Sequence, residues 1–226
     1  MKGIQAVLFD AGGTLIHMDG ERTSRAAGLA WDAVGFGRAY DDAVADMRRW
    51  VIANPKSTDA ERMPRFLGSL LTGLGLPEES RRDAVRGIVA EHVRANLWSR
   101  GAEDAFGTLQ ALRDRGYRLA VVSNADGRVR ALLEEAGLAP HFEFVVDSAE
   151  VGVEKPDPRI FQAATARLDL PPASCAYVGD IYEIDVLGAR AAGLQAILIG
   201  NCEAPADVPR IESLTGLLDH FPGAFI

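Results

Sequence analysis

A doubly wound α/β parallel sheet with an all-helical insertion is the fold this sequence predicts. Five short runs, at 6–9, 119–122, 142–146, 176–178 and 196–199, are mostly apolar rather than alternating, the mark of strands buried on both faces of a parallel sheet. Helical patterns separate the later runs, and strand–helix alternation is what builds such a Rossmann-like core. The rhythm breaks only after the first run, where 18–97 holds no convincing strand.

Taken in order, the first run closes on Asp10 and drops at once into Gly12, Gly13 and Thr14. The stretch beyond Ile16 reads as helices. Tyr40, Val44, Met47 and Val51 form one apolar stripe, Phe66, Leu67, Leu70, Leu71 and Leu74 a second, and Val85, Ile88, Val89, His92 and Val93 a third. Ser80 with Asp83 three residues on resembles a capping pair. Gly73-Leu74-Gly75-Leu76-Pro77 punctuates the chain as the turn of a helical hairpin would. After the insertion, Phe106, Leu109 and Leu112 recur at helical spacing, with Gly116 at the expected C-terminal cap. Asp126 is expected to open a helix that Gly137 closes. Asp157 before Pro158 supplies a capping acid and then proline at the first helical position, ahead of Ile160, Phe161, Ala164 and Leu168. The predicted domains are therefore an α/β core from 1–17 and 98–226 and a helical cap from 18–97.

Composition narrows the partners. At 226 residues the chain is long enough for one large domain or a domain with an insertion. Its formal charge is −8, and its arginine pairs at 48–49 and 81–82 sit beside acids in helical patterns, so no basic stripe exists to neutralise a nucleic-acid backbone. Two cysteines, Cys175 and Cys202, make no disulfide framework, and a reducing cytoplasm fits them. No run has the length of a signal-peptide core or a membrane span. The expectation is a cytoplasmic protein of small-molecule partners, with neither nucleic acid nor membrane among them and an unreadable oligomeric state.

In open parallel sheets, ligands bind beyond the carboxyl ends of the strands. Asp10 stands there after the first run, Ser123 and Asn124 after the second, Lys155 in the loop after the third and Asp180 after the fourth. An acid that ends a buried apolar strand needs a partner or a metal. Alone, Asp180 and Asp185 read as helix caps, Lys155 as a solvated loop residue, and Ser123-Asn124 as a turn.

Together these residues resemble the haloacid dehalogenase-like (HAD) superfamily, in its branch with a helical cap after the first strand. Four ordered motifs carry the resemblance: Asp10-Ala11-Gly12-Gly13-Thr14, Val122-Ser123-Asn124, Lys155-Pro156, and Gly179-Asp180 with Asp185 ahead of Gly188-Ala189-Arg190. The resemblance implies Asp10 as carboxylate nucleophile toward phosphorus. It implies Mg²⁺ held by Asp10, Asp180 and the Gly12 carbonyl, with Asp185 supporting the metal or holding Lys155. Ser123, with Asn124 beside it, would bind phosphoryl oxygens, and Lys155 would bridge Asp10 and substrate. A hard cation, an ammonium group and backbone donors are the parts that phosphoryl transfer demands.

One part is missing. HAD phosphatases usually carry a second aspartate two positions after the nucleophile, as the general acid and base, and that position here is Gly12. Losing such a group typically costs about 10² to 10⁴ in rate. A phosphatase for leaving groups that need little protonation is the first reading, with His17 as a candidate substitute. A carbon–halogen hydrolase is the second, since halide needs no proton and no metal; Asp180 then has no task. A phosphonate hydrolase would require a cap lysine, and Lys56, in an exposed-turn setting, is the sole lysine of 18–97. A phosphate-sensing or partner-binding protein without turnover is the third class, against which the retained Asp10 stands. Substrate identity lies with the cap, where Trp31, Arg38 and Trp50 are candidates to face the cleft.

Overall fold

A computed structural model describes residues 3–223, and the chain divides into two compact units. One takes in the chain up to His17 and from Arg100 onward; the other is Met18–Ser99. Eight strands occur among the described residues: β1 (Ala6–Phe9), β2 (Ile16–Met18), β3 (Trp98–Gly101), β4 (Arg118–Ser123), β5 (Val145–Asp147), β6 (Cys175–Gly179), β7 (Gln195–Ile199) and β8 (Arg210–Ile211). Six of them form a sheet in the order β5-β4-β1-β6-β7-β8, with parallel pairing throughout, while β2 and β3 pair as a separate ribbon.

The order places the site. From β1 the chain steps to β4 and then β5 on one side, and returns to β6 on the other, so the winding reverses between β1 and β6. Ligand crevices of open α/β sheets lie at such a reversal, beyond the carboxyl ends of the strands. Register aligns those ends: Phe9 stands opposite Val121 on β4 and Val178 on β6, one residue before Asp10 and two before Asp180.

Every residue of β1 and β6 is buried, as continuous apolar runs require. Helices α5 (Ala105–Asp114), α6 (Val129–Glu135), α7 (Ser148–Val151), α8 (Pro158–Leu168), α9 (Leu187–Ala191) and α10 (Leu217–His220) belong to this unit. Ile160, Phe161, Ala164 and Leu168 of α8 pack with Leu8, Val122, Tyr177 and Leu198 in its core. Asp157 caps α8 through the Arg159 N–H, as its sequence setting predicts.

Three local expectations need correction. Asp126 does not cap α6, whose first residue is Val129; its carboxylate is drawn to the Arg128 guanidinium instead. Ser80 lies inside a helix that begins at Glu78, not at its N-cap. The 142–146 run is ladder-bonded early, through Glu143 N–H to Leu119 O, but the regular strand is 145–147, and Asp147 then caps α7. The short strands β3 (Trp-Ser-Arg-Gly) and β8 (Arg-Ile) contain no apolar run and so leave no strand signal.

The second unit contains α1 (Gly20–Ala26), α2 (Ala33–Ala53), α3 (Asp59–Gly73) and α4 (Glu78–Arg94). Asp19 and Asp32 cap the first two, and Thr58 with Glu61 forms a capping box on the third. Phe36, Ala39, Ala43, Met47 and Val51 of α2 bury against Phe66, Leu67, Leu70 and Leu71 of α3, so the first two stripes hold, shifted by a residue in α2. The third is thinner than its sequence suggests: Ala84 and Ile88 are buried while Val89 and Val93 are exposed. Among the described residues no helix is long and apolar enough to cross a membrane.

Candidate active site

The carboxyl end of β1 delivers Asp10. Its N–H donates to Val178 O at 2.8 Å, one more rung of the β1–β6 ladder, which fixes the residue before the chain turns away. The turn is tight because the N–H groups of Leu15 and Ile16 both donate to Ala11 O, at 2.8 and 2.9 Å. Gly13 adopts φ +82°, and a Cβ there would collide with the Asp180 carboxylate. Glycine is needed on both counts.

Asp180 follows β6, and Asp185 returns to it from a π-helical turn at Tyr182–Val186. Gly179 makes that return possible, since a Cβ on it would collide with the Asp185 carboxylate. Asp185 is fully engaged: Oδ2 accepts from the Ile181 N–H at 2.9 Å, and Oδ1 lies 2.7 Å from Lys155 Nζ. Asp180 is otherwise. Its Oδ1 is buried without a hydrogen-bond partner, though the residue as a whole is partly exposed. Oxygens of Asp10, Asp180 and Asp185 all lie within 4.8 Å of one another.

Lys155 arrives from the loop after β5 and is held at both ends. The Asn124 side chain clamps its backbone, accepting from the Lys155 N–H at 2.7 Å and donating to the Lys155 carbonyl at 3.1 Å. At the tip, Nζ meets Asp10 Oδ1 at 2.8 Å, Asp185 Oδ1 at 2.7 Å and the Tyr177 hydroxyl at 2.9 Å. Ser123, the last residue of β4, is buried beside Asn124 in the chain. Six of the sequence-selected residues thus converge at the strand ends, together with Gly12.

The electrostatics are those of three carboxylates around one ammonium. Burial raises the Asp10 carboxyl to about 6; the Lys155 charge opposes that rise and the Asp185 charge adds to it. Burial, with the charges of Asp185 and Asp10, pushes Asp180 well above the ordinary carboxylate range. Burial works against the charge of Lys155, yet the two carboxylates it touches hold the ammonium above its usual value. Such a site has negative charge in excess and a bare, buried carboxylate oxygen. Both features suit a hard divalent cation with oxygen ligands.

Gly12 brings no side chain, and its backbone bridges to Ile16. His17 occupies the exposed middle position of β2; partial burial lowers its pKa while the Asp104 carboxylate pulls the other way. In the second unit, Trp31 tilts against Phe36, and Arg65 stands over Trp50. Sequence reasoning passed over Tyr177. Its signal was a phenol within an otherwise small and aliphatic strand, where a buried hydroxyl must find a partner.

Comparison with known proteins adds relatives to this geometry. The family model described as "Hydrolase: haloacid dehalogenase-like hydrolase" matches residues 4–193. The haloacid dehalogenase-like hydrolase domain-containing protein 3 of Bos taurus is 40% identical over 134 residues, which cover 54% of this chain and 53% of that protein, so the match spans about half of the relative's length. A protein of Mycobacterium tuberculosis named as a phosphatase is 30% identical over 230 residues, covering 96% of this chain and 97% of its own. Among solved structures, a dehalogenase crystallised with an intermediate complex superposes with a TM-score of 0.68 at 21% identity, covering both chains completely, which is a likeness of fold.

Proposed function

The chain belongs to the haloacid dehalogenase-like hydrolases, and from that premise we propose that it is a Mg²⁺-dependent phosphatase of small molecules in which Asp10 is the nucleophile. The observations that carry the proposal are the buried Oδ1 of Asp180, which has no hydrogen-bond partner, and the clustering of one carboxylate oxygen each from Asp10, Asp180 and Asp185 within 4.8 Å of one another. A carbon–halogen hydrolase has no use for that oxygen, whereas a cation bound to substrate phosphate does. Similarity along nearly the whole chain to a protein named as a phosphatase points the same way.

Asp10, Asp180 and the Gly12 carbonyl would hold Mg²⁺. When bound, it neutralises phosphoryl oxygens as a Lewis acid. Everything else falls to the chain. The Asp10 carboxylate attacks phosphorus in line, the bond to the leaving oxygen breaks, and an aspartyl phosphate results. Water then attacks phosphorus, which releases phosphate and restores the carboxylate. Lys155 shares its charge between Asp10 and the incoming phosphoryl group, and Asp185 holds Lys155 for that task. Ser123 binds phosphoryl oxygen. The amide of Asn124 holds the Lys155 loop, so its contribution to binding is made through that loop. We assign substrate selection to the helical unit Met18–Ser99.

Gly12 sets the substrate class. No carboxyl at that position protonates the departing oxygen, which disfavours alkoxides and favours leaving groups stable as anions: acyl phosphates, aryl phosphates and phosphoanhydrides. The test is incubation with Mg²⁺ and, separately, acetyl phosphate, p-nitrophenyl phosphate and 2-chloropropionate, with phosphate and halide release measured and Asp10→Asn as control. Mg²⁺-dependent phosphate release lost in Asp10→Asn is expected. Halide release alone, or no release from any phosphate, overturns the assignment.

A further inference from the structure

The geometry points to Tyr177 as the positioning residue that orients the Lys155 ammonium for reaction. An ammonium group has three hydrogens. Around Lys155 Nζ, among the described residues, stand Asp185 Oδ1 at 2.7 Å, Asp10 Oδ1 at 2.8 Å and the Tyr177 hydroxyl at 2.9 Å. Two are carboxylates at the working end of the site, and the third is a neutral oxygen within the core.

Tyr177 can serve only as an acceptor here, because its single hydrogen is committed elsewhere. The hydroxyl donates to Val122 O at 2.8 Å, which turns its lone pairs toward Nζ. Asp185 Oδ1, at 3.4 Å from the same hydroxyl, is the weaker alternative for that hydrogen. The ring cannot swing away, being fully buried and set edge-to-face on Phe161 at 4.9 Å and 85°. Burial, with the surrounding carboxylates, also holds the phenol far above its ordinary pKa, so it remains a neutral partner. Val122 immediately precedes Ser123, so one hydroxyl ties the lysine to the strand that ends at the phosphoryl-binding serine. Without the third acceptor Nζ is free to rotate between the two carboxylates; with it, the direction of every N–H bond is set.

The effect on turnover rests on the phosphatase reading, whereas the contact itself does not, and the experiment separates the two. Lysine occurs only at 2, 56 and 155, so labelling with ¹⁵N-lysine gives three side-chain signals, of which Lys155, 2% exposed, is to be identified by its loss in Lys155→Met. In Tyr177→Phe, that ¹H–¹⁵N ammonium resonance is expected to shift and its exchange with solvent to accelerate about tenfold or more. With p-nitrophenyl phosphate, kcat is expected to fall at least tenfold at unchanged KM, and Tyr177→Phe is expected to change kcat less than twofold when added to Lys155→Met. An unshifted Lys155 resonance overturns the contact, whatever the activity. A shifted resonance with kcat unchanged, or equal kcat losses in both backgrounds, overturns the positioning role. A wild-type protein that hydrolyses no phosphate refutes the phosphatase reading and leaves the resonance to decide the contact.

Discussion

Oδ1 of Asp185 lies 2.7 Å from Nζ of Lys155, with the two side chains 1% and 2% exposed. Breaking a buried pair by removing one partner typically costs about 3 to 5 kcal/mol, because the other charge is left uncompensated. Here Asp185→Ala also strips the Ile181 N–H of its acceptor and empties the space that Gly179 keeps open. Thermal unfolding of Asp185→Ala should show a fall of roughly 10 °C, given about 2 to 4 °C per kcal/mol for a chain of this size. Asp185→Asn, which can still accept from Ile181, should fall less. Equal melting temperatures for the three proteins would mean that the pair carries no stability.

Gly13 makes a second prediction because two separate demands meet on it. A side chain must there adopt φ +82° and occupy the volume of the Asp180 carboxylate. Gly13→Ala should therefore push Asp180 aside, lower phosphatase turnover at least a hundredfold and abolish any thermal response to Mg²⁺, while the fold survives the roughly 1 to 2 kcal/mol that a left-handed alanine costs. Calorimetry with and without Mg²⁺ reads the second effect directly. A preserved Mg²⁺ response would separate Asp180 from the cation.

That double demand also explains how much of the site sequence could convey. Asp10 stands out by itself, an acid closing a buried apolar strand, whereas Asp180 and Lys155 read alone as a helix cap and a solvated loop residue and stand out only as members of the ordered motif set; a parallel sheet brings strand ends together however far apart they are in the chain. The resemblance implies Asn124, beside Ser123, at the phosphoryl oxygens; its amide also bridges to the Lys155 backbone 31 residues on, a contact that no local pattern encodes. Tyr177 was absorbed into a strand for the same reason. The insertion was legible as helices because α2 and α3 bury one face each, whereas the apolar residues of α4 include Val89 and Val93, which the structure leaves exposed. A strand such as β8, two residues long with Ile211 alone buried, is too short to carry a periodic signature.

Proton and cation should compete at Asp10 and Asp180. Both carboxyls are raised, Asp10 to about 6, so the folded protein holds their protons more tightly than the unfolded chain does. The sign follows from linkage: without cation, their contribution to stability declines as pH climbs from about 4 past 6. His17 and His141, both lowered, act in the opposite sense through the same range, so the raw pH profile mixes the two. The Mg²⁺-induced shift in Tm at each pH removes the histidine contribution. It should be close to zero at pH 5 and grow toward pH 7.5, where Mg²⁺ at about 100 times its Kd gives about 2.7 kcal/mol, roughly 5 to 10 °C. Asp180→Asn should erase it at every pH. A shift of equal size at pH 5 and 7.5 would place the cation elsewhere.

Gly12 offers the sharpest test of chemistry, because the missing carboxyl can be restored. Gly13 needs the left-handed backbone, and Gly12 is not among the glycines with positive φ, so an aspartate there meets no conformational barrier of that kind. On the proposed mechanism, departure of a phenolate needs little help from an acid, while water would attack the aspartyl phosphate without a base. The second step should limit turnover with p-nitrophenyl phosphate, and rapid mixing should show a burst of nitrophenolate approaching one equivalent per active site. Gly12→Asp supplies both missing proton transfers. The burst should then shrink or vanish, and kcat/KM for an alkyl phosphate should rise by about 10² or more relative to that for p-nitrophenyl phosphate, within the range general acids usually contribute. A linear onset in the native protein, with alkyl and aryl esters already cleaved alike, would show that another group performs this role, and His17→Ala would then be the variant in which to look for its loss.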